Sequence, residues 1–267
     1  MFQKEISFVI FLSMIMSTSI ASAGLVLRFE AKKSMEEKSH TMTFMLEGEK
    51  LRIEDSRGGI MIFDGDQQKL WTIDLNQKKY SEFTKADAVL IQEMRKKMKL
   101  QMEEQMGRLP PEQQMQLREM LKQMDEGNDT PPRVLTFEAG GAGRKTDRGF
   151  SCRPYRVIEK GKPIEEICFI LWEESGFSLG DFRPLDAFGR FLQKMGTGTS
   201  GKNQIFYDLR QAPGIPAHVV VVAPGNQAGH EQVLTALKRK QVPANRFTLP
   251  KGFQKEPVRT RMGDLSR

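Results

Sequence analysis

The chain has 267 residues, with Lys+Arg 41 against Asp+Glu 34 for a net charge of +7 at pH 7. The basic residues are interleaved with acidic ones, and no run of alternating aromatic and basic positions is present, so no nucleic-acid partner is expected. Two cysteines and three histidines leave little material for a zinc or redox centre.

Met1 to Ala23 reads as a secretory signal peptide. Lys4 precedes an apolar run from Ile6 to Leu12 that continues through Met14, Ile15 and Met16. The small residues Ala21-Ser22-Ala23 then place cleavage between Ala23 and Gly24. The apolar run is shorter than the roughly 18 to 20 residues that span a bilayer, so the mature chain is expected to be periplasmic and not transmembrane. No Cys follows the cleavage site, so no lipid anchor is expected. Export also takes nucleotide cofactors off the list of ligands and permits disulfides; no cofactor is expected.

From Gly24 to about Thr84 the pattern has period two. Leu25/Leu27/Phe29 alternate with Val26, Arg28 and Glu30, and Met42/Phe44/Leu46, Leu51/Ile53 and Trp71/Ile73/Leu75 repeat the spacing; Ile60 to Phe63 is a short apolar run between Gly59 and Asp64-Gly65, and Lys78 to Tyr80 opens one more strand. Short strands at 8 to 12-residue spacing predict an antiparallel meander with one apolar and one mixed face. The apolar face needs a cover. Asp87 to Met106 contains no Gly or Pro, and Ile91, Met94, Met98, Met102 and Met106 fall within an arc of about 120° at helical spacing. After Gly107, Pro110-Pro111 starts a second helix with Leu117, Met120, Leu121 and Met124 on one stripe. Residues 87–129 are therefore expected to form an inserted helical hairpin lying across the sheet as a lid.

The second half returns to strands: Val134 to Phe137, a Gly-rich turn at 140–143, a hairpin with Cys152 and Cys168 on its two arms, and Ile205 to Tyr207 and Ala217 to Val222. Leu185 to Met195 is a short helix candidate and 196–201 a loop. Gly161 sits near the midpoint between the cysteines, so folding the hairpin brings them close to opposite, and a disulfide closing that loop of about 15 residues would contribute about 3 kcal/mol. Strands with inserted helices predict an α+β fold rather than alternating βα units: one domain over 24–255, then a flexible tail over 256–267.

Gly176-Phe177-Ser178-Leu179-Gly180 matches the G-x-S-x-G nucleophile elbow, with Asp208 and then His218 or His230 later in the order of an α/β-hydrolase. The antiparallel context before Ser178 and the missing oxyanion segment favour a turn with a Ser N-cap or a solvated hydroxyl instead, and the chain is expected not to be an enzyme. Gly196 and Gly201-Lys202-Asn203 approach a phosphate loop, but helix and strand stand in the reverse order. The Met stripe could ligate a soft metal, but it reads better as a deformable apolar face; no metal site is expected.

The strand series from Glu47 to Glu54, Ile60 to Asp66 and Leu70 to Tyr80 resembles an exported bacterial domain of unknown function, similar in fold to LolA/LppX-type lipoprotein and lipid carriers. Gly149 to Val157, Gly214 to Ala217 and Val242 to Phe253 extend the resemblance over most of the mature chain. It implies a half-open antiparallel barrel with helices over its concave face; in the LolA-like carriers that cavity holds acyl chains. Leu109 to Met120 resembles the helical motif of Spy/CpxP-type periplasmic chaperones. The expected function is non-enzymatic binding of a hydrophobic ligand, a lipid or acyl chain, or of an envelope protein partner. Candidate cavity residues are Phe44, Trp71, Ile73, Met94, Met98 and Met102. A chaperone using the Met/Gln-rich helices is the alternative.

Overall fold

The computed structural model describes residues 24–33, 39–107, 110–126, 134–195, 209–222 and 228–257. The signal segment with Ala23, the loop at 196–201, Lys202, the strand at 205–207, Asp208 and residues 258–267 lie outside the described residues.

The alternating pattern of the first half folds as an antiparallel meander: β1 (Leu25–Lys33), β2 (His40–Glu47), β3 (Lys50–Asp55), β4 (Gly59–Asp64), β5 (Lys69–Asp74) and β6 (Lys79–Phe83). Two helices follow, α1 (Lys85–Met106) and α2 (Pro111–Glu126). The second half adds β7 (Leu135–Ala139), β8 (Arg144–Lys145), β9 (Ser151–Glu159), β10 (Lys162–Leu171), α3 (Trp172–Ser175), α4 (Arg183–Lys194), β11 (Gly214–Val222), β12 (Ala228–Arg239) and β13 (Gln254–Lys255). The strands join in the order β13-β6-β5-β4-β3-β2-β1-β12-β11-β10-β9-β7, with β8 paired to β9 off this path. All pairings among the described residues are antiparallel except β13 on β6. The order does not return on itself, so the 13-stranded sheet is open, and the fold is α+β.

Both faces of the first half are covered. On the inner face, Leu25, Leu27, Phe29, Phe44, Leu46, Leu51, Ile53 and Phe63 belong to one core that continues through Val157, Ile167 and Phe169 of the second half. This core is filled by α4 and the 3-10 turn before it. Phe182, Leu185, Phe188 and Phe191 are all buried, and Phe63 meets the rings of Phe188 and Phe191 at 5.5 and 5.3 Å. The closely spaced aromatics of α4, started by Pro184 near its N-terminus, thus supply the inner cover expected of the Met-rich hairpin. On the outer face, Ile60, Ile62 and Ile73 pack with Val242 and Phe247 in a second, smaller core that Trp71, Tyr80, Leu249 and Phe253 border. Arg52 fixes this cover by donating to the carbonyl of Arg246 at 2.8 Å and to Glu54 at 2.6 Å. Beyond it β13 adds to β6, and the amide of Glu256 still donates to the Tyr80 carbonyl at 2.8 Å, so the sheet holds the first residue assigned to the tail.

The β9–β10 hairpin turns on Lys160 and Gly161, both at positive φ (49° and 74°), the conformation a two-residue primed turn requires. Cys152 and Cys168 form a disulfide with a Cα–Cα distance of 5.4 Å. Cys168 lies opposite Pro154, not Cys152, so the bridge runs diagonally; a register shift between Pro163 and Glu165 separates the cysteines from the simple midpoint geometry.

β12, the seam between the halves, shows no period-two pattern. Leu234 and Leu237 are three apart, a helical spacing, yet Leu234 pairs with Phe29 and Leu237 with Leu27 on the inner face. A bulge at Thr235 reconciles them, and the Thr235 hydroxyl donates to the carbonyl of Arg28 at 3.1 Å.

Candidate functional site

The structure divides the six candidate cavity residues among three places. Phe44 lies in the inner core, where its ring meets Phe29 at 5.7 Å. Ile73 lies in the outer core and Trp71 borders it, half-buried, with its indole N–H donating to Glu82 at 2.8 Å. Met94 and Met98 are exposed and Met102 is half-buried on α1. Period two puts Phe44 and Trp71 on opposite faces of one sheet, so no single enclosure takes in all six.

The hairpin itself is the unusual surface. Thr84 starts α1 with a capping box: its amide and hydroxyl both donate to Asp87, at 2.8 and 2.6 Å. One turn further, Ile91 is buried against the inner core, and this anchors the root of the helix. The stripe then leaves the body. Met94 is 39% exposed and Met98 46%, while Met102 and Met106, near the turn into α2, are half-buried. Val89, Leu90 and Leu100 are also exposed, as is Met115 of α2. α2 packs on α1, with Leu121 buried and Leu117 half-buried; the side chains of Met120 and Met124 lie outside the described residues. Among the described residues, α1 thus leaves thioether and aliphatic side chains exposed along its length.

The G-x-S-x-G segment does other work. Gly176 takes the left-handed conformation that ends α3, and Ser178 caps the 3-10 turn Leu179–Phe182. Its amide and hydroxyl both donate to Asp181, at 2.8 and 3.1 Å. Asp181 in turn receives two hydrogen bonds from Arg239, at 2.6 and 3.1 Å, whose guanidinium lies 4.8 Å over the Phe177 ring. The hydrogen bonds from Arg239 hold the Asp181 carboxyl below its usual range, against an opposing effect of burial. The segment therefore ties the α3–α4 connection to β12. A Ser followed three residues later by an acid was the readable signal for this cap.

His218 lies between Glu231, 2.8 Å from its Nε2, and Arg144, 3.4 Å from its Nδ1. His40 is buried 4.0 Å from Asp55, and the side chain of His230 lies outside the described residues. Among the described residues no group of three or more His, Cys, Asp and Glu gathers in a metal-holding arrangement. Two open clefts sit elsewhere. One, of about 580 Å³, lies beside the Gly-rich turn and includes Arg144, Lys145 and an Arg153–Glu174 pair at 2.7 Å. The other, of about 530 Å³, lies between the outer face of β1–β3 and the C-terminal cover and includes Arg28, Arg52, Glu54 and Arg246. Neither is lined by any of the six candidates. No described helix is long and apolar enough to cross a membrane.

No family model matches the chain, and no curated protein does. Among solved structures it is similar to an uncharacterized conserved protein from Thermus thermophilus, with a TM-score of 0.44 and 8% identity over 88% of this chain and 91% of that one. It is also similar to PNGF-II, with a TM-score of 0.40 and 6% identity over 92% of this chain and 33% of that one.

Proposed function

We propose that this chain is a non-enzymatic binding protein of the bacterial periplasm that engages a hydrophobic ligand, a lipid or acyl chain, through the exposed stripe of the α1–α2 hairpin. The observation that carries this reading is the contrast along α1: the same stripe is buried at Ile91 and open at Met94 and Met98. The open antiparallel sheet supports the resemblance to carriers of the LolA/LppX kind, and because the inner face is occupied by the aromatics of α4, this reading puts the ligand on the hairpin. Burying apolar ligand surface there would contribute about 0.8 kcal/mol per methylene, and Met adapts to ligands of varied shape. The test is native mass spectrometry of the purified protein with long-chain fatty acids and phospholipids. Retained adducts that are lost in Met94→Ser/Met98→Ser support the reading; an adduct-free protein that also fails to enhance an acyl fluorophore overturns it. Suppression of client aggregation by the hairpin in the absence of any acyl binding would instead favour the chaperone alternative.

A further inference from the structure

Nine consecutive residues of α1, Met94 to Met102, contain Arg95, Lys96, Lys97 and Lys99 and no acid. At about 100° per residue the three methionines of this stretch fall within an arc of about 80°. Arg95 and Lys99 occupy positions along one border of that arc and Lys97 a position along the other. Lys96, Lys97, Met94 and Met98 are exposed, and Lys99 has Glu103 at 3.9 Å one turn on. Apolar residues bordered on both sides by cations are the pattern of a helix that lies in a bilayer interface, with long basic side chains reaching from the apolar edge to the headgroups. At 1.5 Å per residue the patch is about 12 Å long, enough for a surface anchor and far short of a span. The acids of α1 stand on either side of it, Asp87 and Glu93 before, Glu103 and Glu104 after, so the positive charge is local to the stretch where the methionines are exposed.

We infer that Met94–Met102 docks the protein on an anionic phospholipid surface, the methionines entering the acyl boundary and the flanking bases pairing with headgroup phosphates. This rests on the hairpin being the hydrophobic-binding face and names the phase in which its ligand is met. The test is co-sedimentation of the purified protein with vesicles of phosphatidylglycerol and phosphatidylcholine, against phosphatidylcholine alone, at low and high salt. Binding should require phosphatidylglycerol and weaken as the Debye length shrinks from about 10 Å at 0.1 M to about 3 Å at 1 M salt. Lys97→Gln/Lys99→Gln, one cation from each border of the arc, should lose about 20- to 30-fold in affinity, at roughly fivefold per basic residue near the surface, and Met98→Ser should lose severalfold. Lys160→Gln/Lys162→Gln, two exposed cations at the β9–β10 turn, should bind as the parent does. All three are surface changes, and circular dichroism checks that each variant keeps its fold. Equal binding to both vesicle types, or an equal loss from the β9–β10 variant, overturns the inference. Loss of vesicle binding with free acyl chains still bound overturns it while leaving the hairpin reading intact; loss of both overturns the two together.

Discussion

Because α4, and not the Met-rich hairpin, covers the inner face, two single substitutions should differ widely in cost. Phe188 is 1% exposed and stands 5.5 Å from the ring of Phe63, which also meets Phe191. Phe188→Ala removes a ring from a packed aromatic cluster that cannot close over the gap, so the cost is about 3 to 5 kcal/mol. Met98 is 46% exposed and sits mid-helix, where Ala is the best helix former. Met98→Ala therefore costs less than about 0.5 kcal/mol. Urea titration followed by tryptophan fluorescence separates the two. With a slope of about 3 kcal/mol/M, the Phe188 variant should unfold about 1 M or more below the parent and the Met98 variant within about 0.2 M of it. Comparable losses in both variants would refute the placement of the hairpin stripe outside the core.

Replacing Cys152 and Cys168 together with Ala should cost about 3 kcal/mol, because the bridge closes a loop with a sequence separation of 16; an unchanged urea midpoint would contradict this. Ser178→Ala removes an N-cap hydroxyl and should destabilise by about 1 kcal/mol, and a fluorophosphonate probe should leave Ser178 unlabelled, since its hydroxyl is engaged by Asp181; labelling there would restore the hydrolase reading. Asp181 titrates below its ordinary value of 3.8 because Arg239 hydrogen-bonds its ionised form. Its stabilising effect is thus fully present above about pH 4 and is lost as pH falls through the depressed folded value. Asp181→Asn should flatten that part of the acid limb of a stability–pH curve, and an unchanged slope would show the pair to be idle.

The strands from Leu25 to Phe83 were legible because most repeat apolar residues at every second position between turns, and β4 is a short apolar run, Ile60 to Phe63, bounded by turn residues. What alternation could not show is that the second face is apolar too: Ile60, Ile62, Trp71 and Ile73 read as one strand pattern, but their partners, Val242 and Phe247, lie far along the chain in a segment with no periodicity. β12 was missed because its bulge sets Leu234 and Leu237 on one face at a helical interval. The disulfide pairing was readable from a single turn, while its diagonal register depended on a local shift after Pro163. The Met stripe was correctly periodic, but period alone reports that a face is apolar, not whether anything covers it. Burial at Ile91 and exposure at Met98 are tertiary facts about where α1 leaves the sheet.

The seam at β12 also governs how the molecule is assembled. β1 has β2 beside it early, but its other neighbour comes from the far end of the chain, with Leu25 opposite Arg239. The β1–β6 meander is local and can form first; joining it to β9–β11 must wait for β12 and for closure of a loop of about 200 residues, the kind of non-local pairing that slows folding. During that wait β1 offers an open edge with apolar residues on its inner face. The same edge fits β12 of a second copy as well as its own. Refolding is therefore the step at which concentration matters most for this chain, with yield falling and strand-exchanged dimers rising as the protein is made more concentrated.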